Sequence, residues 1–202
     1  DFCYLLACEA SESFLGVAPV SGMIMEDILE SCNPSQKVGI LEIHGTNDDI
    51  TYYDGDYYNV DGWGAYPSIP ETIEFFANMY SINLESLGTF PNTSTNDGST
   101  VSFEKYGNND SCTKVWLYTV DGGGHDWPGA YGNMDINASE EAWLFFQNLC
   151  QESVQIVEPL NNLNHRIIKK VDALGRQVIH TNNQILFHIY DDGSVEKKFI
   201  VE

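Results

Sequence analysis

Two short polar clusters each follow an apolar run, and together they hold the residue types of acid–base chemistry. The run 38–43 (VGILEI) leads into His44-Gly45-Thr46-Asn47-Asp48-Asp49. The run 115–120 (VWLYTV) leads into Asp121-Gly122-Gly123-Gly124-His125-Asp126-Trp127-Pro128-Gly129. A carboxylate on one imidazole nitrogen fixes the tautomer and stabilises the imidazolium, so the other nitrogen can take a proton from a nucleophile. The glycines before His125 let that loop fold back sharply and aim the ring over a sheet edge. Acid followed by histidine is two-thirds of a serine–histidine–acid triad, in the order found where the serine comes first on a G-x-S-x-G turn. No such turn occurs in the chain, because Ser11 and Ser21-Gly22 lack the flanking glycines. A plainer reading makes the same residues turn formers and helix caps, and the residue types alone leave both open.

Aromatic residues crowd the same region. Tyr52, Tyr53, Tyr57, Tyr58, Trp63 and Tyr66 follow Asp48, and Trp127 lies two residues beyond His125. Tyr53, Trp63 and Trp127 are candidate substrate-binding residues, offering a wall to an acyl chain, a phenolic acid or a sugar; the alternative is that they pack a long loop onto the sheet. Asp54, Asp56, Asn59 and Asp61 fail the EF-hand spacing, since Tyr58 takes a ligand position and Asn59 the glycine position. His44 and Asp48 have no third ligand at a suitable spacing, so no metal site and no cofactor are expected. His44 reads as a strand-end histidine that supports the acid loop.

The elements that must position these groups form an α/β pattern. Helices are expected over 2–9, 70–80 and 137–149, the last capped by Asn137 with Glu140 as reciprocal partner and with Trp143, Phe146 and Leu149 as its apolar stripe. The runs 14–20, 38–43, 101–106 and 115–120 read as strands. Short apolar strands alternating with helices argue a mostly parallel sheet, and ligands of such sheets bind beyond the carboxyl ends of the strands. Three or four strands fall short of the ~5–6 usual in a sheet, which points to a missing N-terminal half. The tail has strand signals at 167–172, 177–180, 184–190 and 195–201, with Asp191-Asp192-Gly193 as a hairpin turn.

Composition narrows the function classes. The 202 residues carry 30 acids against 9 Lys and Arg, a formal charge of -21. Such a chain repels phosphate backbones and anionic lipids, so nucleic acid is not an expected partner, and no apolar run approaches the ~20 residues of a membrane span. The acids concentrate in residues 1–150, while 165–202 is close to neutral, so a boundary is expected: 1–150, a linker at 151–164, and a β-rich module at 165–202. Five cysteines include no CxxC pair; Cys8–Cys32 and Cys112–Cys150 are the expected pairings. The chain opens on Asp1 with no basic and apolar leader, which reads as a fragment or processed product.

Three blocks resemble the esterase family of polyhydroxybutyrate depolymerases and feruloyl or acetyl-xylan esterases: FLGVAPVSG (14–22), ILEIHGTNDDITYYDG (40–55) and LYTVDGGGHDWPG (117–129) with its trailing DINASEEAWLFF (135–146). The resemblance implies the C-terminal half of an α/β-hydrolase, a carboxylic ester hydrolase with Asp48 as triad acid and His125 as triad base. Asp49 stands where the family has proline, but Asp48 fits the spacing after His44-Gly45 better. The resemblance also implies a nucleophilic serine and much of the oxyanion hole shortly before Asp1, so the fragment alone would be inactive. The tail, in Lys169–Arg176 and Ile189–Lys198, resembles the C-terminal sorting domain of type IX secretion. That implies the secretion machinery as a partner and a secreted or cell-surface protein. A non-catalytic polymer-binding protein and a peptidase on the same fold are the alternatives.

Overall fold

In the computed structural model, residues 2–108, 113–149, 166–172, 175–178, 184–191 and 193–200 are described. They belong to two compact units, Asp1–Glu152 and Ser153–Glu202. The first runs α1 (Phe2–Glu9), β1 (Gly16–Val17), α2 (Glu26–Ser31), β2 (Gly39–Gly45), α3 (Ile69–Tyr80), β3 (Asn83–Thr89), β4 (Thr100–Gly107), β5 (Val115–Asp121) and α4 (Ala138–Asn148). Its strands form one sheet in the order β1-β2-β5-β4-β3. β1, β2 and β5 are mutually parallel, β4 runs against β5, and β3 runs against β4. Four strands therefore share one direction and the sheet is mixed α/β.

β2 is buried along its whole length, its polar Glu42 and His44 included. Alternate residues point to opposite faces. Ile40 joins a core of Tyr4, Ala7, Ile73 and Phe76 from α1 and α3. Leu41 and Ile43 join Tyr118, Ala138 and Phe145 on the α4 side. α3 starts with a complete capping box: Ser68 accepts from the Glu71 amide, and the Glu71 side chain accepts from the Ser68 amide. Ile73, Phe76, Ala77 and Tyr80 form its buried stripe, as the spacing predicts.

Several expectations need correction. The 14–20 run forms only the two-residue β1 plus a bridge from Val20 to Ile43, because Pro19 interrupts it. α2 and β3 were not expected; β3 is an exposed edge strand with no apolar periodicity. In α1, where Leu5, Leu6 and Cys8 read as the apolar side, the buried residues are Tyr4, Ala7 and Cys8, with Leu5 and Leu6 only half-buried. In α4, Phe145 is the buried aromatic, while Trp143 and Phe146 are exposed. Asn137 caps that helix by accepting from the Ser139 and Glu140 amides, but the reciprocal bond from Glu140 is not formed.

The second unit holds β6 (Ile167–Val171), β7 (Gln184–Tyr190) and β8 (Val195–Ile200), an antiparallel sheet in the order β6-β7-β8. The β7–β8 turn is closed by the Gly193 amide on the Tyr190 carbonyl, with Gly193 at φ +85°. The strand expected at 177–180 reduces to a bridge between Val171 and Gln177; positions 179 and 180 lie outside the described residues. Cys8 and Cys32 form a disulfide and Cys3 is free; the Cys112–Cys150 pairing and the 151–164 linker also lie outside the described residues. Among the described residues no helix is long and apolar enough to cross a membrane.

Candidate active site

β2 and β5 are neighbours in parallel register, with His44 beside Thr119 and Gly45 beside Val120. Their following loops therefore leave the same sheet edge side by side. The Thr46 amide donates to the Val120 carbonyl at 3.0 Å, and the Asn47 amide to the Gly123 carbonyl at 2.8 Å. Gly45 permits this approach: a Cβ there would lie 2.3 Å from the Gly123 carbonyl oxygen. Gly122, at φ +81°, turns the β5 loop back so that His125 faces the Asp48 turn.

Asp48 is buried and heavily hydrogen-bonded. Its Oδ1 accepts from the Ile50 amide at 2.9 Å and the Thr51 amide at 2.8 Å; its Oδ2 accepts from the Thr51 hydroxyl at 3.1 Å. His125 Nδ1 lies 3.0 Å from Oδ2 and 3.1 Å from Oδ1. Burial works against ionisation of Asp48, but the bonds from His44, Thr51, Ile50 and His125 outweigh it and hold the carboxyl well below the usual carboxylate range. A carboxylate fixed in this way is a permanent acceptor for Nδ1–H, which leaves Nε2 as the basic nitrogen. The His125 side chain is 43% exposed, and Nε2 has no hydrogen-bond partner among the described residues. Asp49 is exposed and makes no such contact, so of the two adjacent acids the geometry joins Asp48 to His125.

Behind Asp48 lies a second layer. His44 donates from Nε2 to the Thr51 carbonyl at 2.7 Å, and the same nitrogen is 3.4 Å from Asp48 Oδ2. His44 Nδ1 is 3.0 Å from Glu42 Oε1. Glu42 also accepts from the Tyr4 hydroxyl at 2.7 Å and the Gly22 amide at 3.1 Å. Burial opposes the charge on His44, yet its bonds to Asp48, Glu42 and Thr51 push its pKa up to about 10. Burial pushes Glu42 up from its usual value, against the bonds from His44, Tyr4 and Gly22. The expected support role of His44 thus has a concrete form. The sequence does not point to Thr51 or Tyr4; Glu42 is visible in it as the acid inside the run VGILEI, on the same face as His44 two residues on.

The aromatic candidates separate. Tyr53 is half-buried, its hydroxyl 3.0 Å from Thr119 Oγ1 and its ring edge-on to His44, so the structure brings it to the supporting layer. Trp63 is exposed on the loop after β2. Trp127 is partly exposed, donates from Nε1 to Ser139 Oγ at 3.1 Å, and lines an open cavity of about 560 Å³ with Trp143 and Leu144. Asp56 spends its carboxylate on the Val60 and Asp61 amides, and no group of three or more metal-ligating side chains occurs among the described residues.

No protein-family profile matches the chain. Over 132 residues it is 30% identical to "Putative esterase NocK" of Nocardia uniformis subsp. tsuyamanensis, covering 61% of this chain and 38% of that protein. The chain thus spans about two fifths of the length of the curated relative it matches. The similarity is distant and partial, and it is to a protein named for ester hydrolysis.

Proposed function

We propose that this chain carries the acid and base of a serine carboxylic-ester hydrolase. The observation that carries the reading is the contact of His125 Nδ1 with the buried, ionised Asp48 at 3.0 Å, with Nε2 left free at the surface. In this reading Nε2 takes the proton of a serine hydroxyl as the oxygen attacks the ester carbonyl. The resulting imidazolium, stabilised by Asp48, returns that proton to the leaving alkoxide, and an acyl-enzyme remains. Water, deprotonated by Nε2, then releases the acid and restores the serine.

The serine belongs to sequence upstream of α1. β1 to β2 and β2 to β5 are parallel connections whose order steps across the sheet in one direction. A strand leading into α1 and crossing over with the same right hand pairs on the free side of β1. Its carboxyl end then lies at the sheet edge that holds Asp48 and His125. The distant similarity to a protein named as an esterase supports the reaction class. The family resemblance of the Asp48 and His125 blocks supports the finer one, hydrolysis of polyhydroxyalkanoate or of feruloyl or acetyl esters of plant polysaccharide. Export through a sorting tail is part of the same proposal; the Cys8–Cys32 disulfide suits an oxidising compartment.

The test is ester turnover by the full-length protein. His125→Ala is expected to lower kcat by about 10³-fold or more while the circular dichroism spectrum is unchanged. Asp49→Asn is expected to leave turnover within about twofold, because its side chain is exposed. Unchanged turnover in His125→Ala overturns the assignment.

A further inference from the structure

A glutamate and a histidine on the central strand of a sheet are expensive residues. Both side chains are fully buried, on the same face of β2 as Ile40, which packs among apolar residues. Replacing such a pair with well-packed apolar side chains is often neutral or stabilising, so stability alone gives little reason for it to be there. Its geometry points elsewhere. The Thr51 carbonyl can only accept, so His44 Nε2 must carry a hydrogen. Glu42 Oε1 already receives the Gly22 amide, and Oε2 the Tyr4 hydroxyl, so the carboxylate is arranged as an acceptor for Nδ1–H as well. Both ring nitrogens therefore donate, and the ring is an imidazolium held between two carboxylates.

We infer that Glu42 and His44 are positioning residues for the proposed ester hydrolysis: Glu42 holds His44 with both nitrogens donating, and His44 clamps the Asp48 turn and draws part of the Asp48 charge away from His125. The inference rests on the assignment of Asp48 and His125 as acid and base. The clamp acts at two points of one turn, the Thr51 carbonyl and Asp48 Oδ2, and Thr51 itself holds Asp48 through its amide and hydroxyl. The charge effect follows from the same contact. A cation 3.4 Å behind Asp48 weakens the hold of that carboxylate on a protonated His125.

Other groups face this cluster. Tyr4 on α1, and Tyr53 and Tyr66 on the loop after β2, are pushed up by burial and stay neutral through the working range. Asp126, beside His125, turns its carboxylate to the Gly124 amide. None of them supplies a second cation to Asp48.

The experiment uses the full-length protein and p-nitrophenyl acetate, with kcat and KM followed from pH 5 to pH 9. His44→Gln removes the cation but can still hydrogen-bond. It is expected to lower kcat about 10- to 100-fold with KM within about twofold, and to move the acid limb of kcat/KM up by about one pH unit. Glu42→Gln is expected to lower kcat with KM likewise held. In the wild-type protein, ¹⁵N spectra are expected to show both His44 nitrogens protonated at pH 7.5. A wild-type protein that turns over ester and loses this in His125→Ala, but whose His44→Gln variant keeps kcat and its acid limb, overturns the positioning role alone. A wild-type protein without turnover, or a fully active His125→Ala, overturns both readings. Where His44→Gln does not fold, the wild-type spectrum decides: a neutral His44 at pH 7.5 overturns the inference, and an imidazolium upholds it.

Discussion

Glu42 and His44 together hold one proton in the folded protein, and that proton links the cluster to pH. The folded pKa of His44 is raised from 6.5 to about 10, so the stability it supplies is complete below the unfolded value and is lost as pH rises toward about 10. Asp48 is shifted downward, so its contribution is present above the ordinary carboxylate value of ~3.9 and is lost as pH falls through the folded value. Glu42, raised by burial, favours the acid side and limits the gain above the carboxylate range. The window in which the cluster stabilises most is therefore about pH 4.5 to 6.5. The gap in Tm between the wild-type protein and the Glu42→Gln/His44→Gln double variant is expected to be widest near pH 5–6 and to shrink steadily toward pH 10. A gap that widens above pH 7 would show that the buried pair does not hold its proton. That Asp48 and His125 could meet was legible in the sequence because each follows an apolar strand run and a turn-forming glycine. The supporting layer was not: Tyr4 and Glu42 are 38 positions apart, and no local spacing announces their bond. Thr51, in the run NDDIT, looks like any loop threonine.

Whether two loop residues meet depends on the strands that launch them. β2 and β5 were readable because each is a mostly apolar run bounded by turn residues, and such central, largely buried strands favour parallel pairing. α3 was readable from its period and its first-turn Pro70 and Glu71. The failures have equally local causes. β3 (NLESLGT) carries Glu, Ser and Gly on an exposed edge, where burial imposes no alternation. Of the stripe expected in α4, Leu149 is buried, but Phe145 rather than Phe146 is the buried aromatic, since adjacent aromatics give no phase. The site also depends on a residue with no side chain at all. Gly45 is not needed for a positive φ; it is needed because the β5 loop passes over it. Gly45→Ala would drive a methyl into the Gly123 and Gly124 carbonyls at 2.3 and 2.5 Å. The loop must lift, and the bond from the Asn47 amide to the Gly123 carbonyl must lengthen. Expected are a loss of about 1–3 kcal/mol in denaturant melts and, in the full-length protein, a fall in kcat of about 100-fold from the displaced His125. Wild-type kcat in this variant would mean that the two loops are not coupled through this contact.

At the scale of the whole molecule the dominant fact is charge. The chain carries a net -21, and residues 1–150 contain only Lys37, Lys105 and Lys114 as strong bases. Lys37 donates to the Tyr80 carbonyl at 2.6 Å, and Lys105 and Lys114 lie over the Trp116 ring, 4.0 and 5.8 Å from its centre. Among the described residues none of the three pairs with a carboxylate. The surface acids of this unit therefore repel one another with little local compensation, and that repulsion weakens the folded state. It also disfavours anionic ligands. Screening tests the balance directly. The Debye length falls from ~30 Å at 0.01 M salt to ~10 Å at 0.1 M, so added salt removes most repulsion between separated surface charges. The Tm of the unfolding transition is expected to rise between these concentrations, by about 2–4 °C for each ~1 kcal/mol of repulsion relieved. Sodium and potassium chloride should act alike, because screening depends on ionic strength rather than on a bound ion. A Tm that is flat or falls with salt would mean that the acids are stabilised by local contacts, in the way Asp48 and Asp56 are held by backbone amides, and that charge repulsion is not a significant term in this fold.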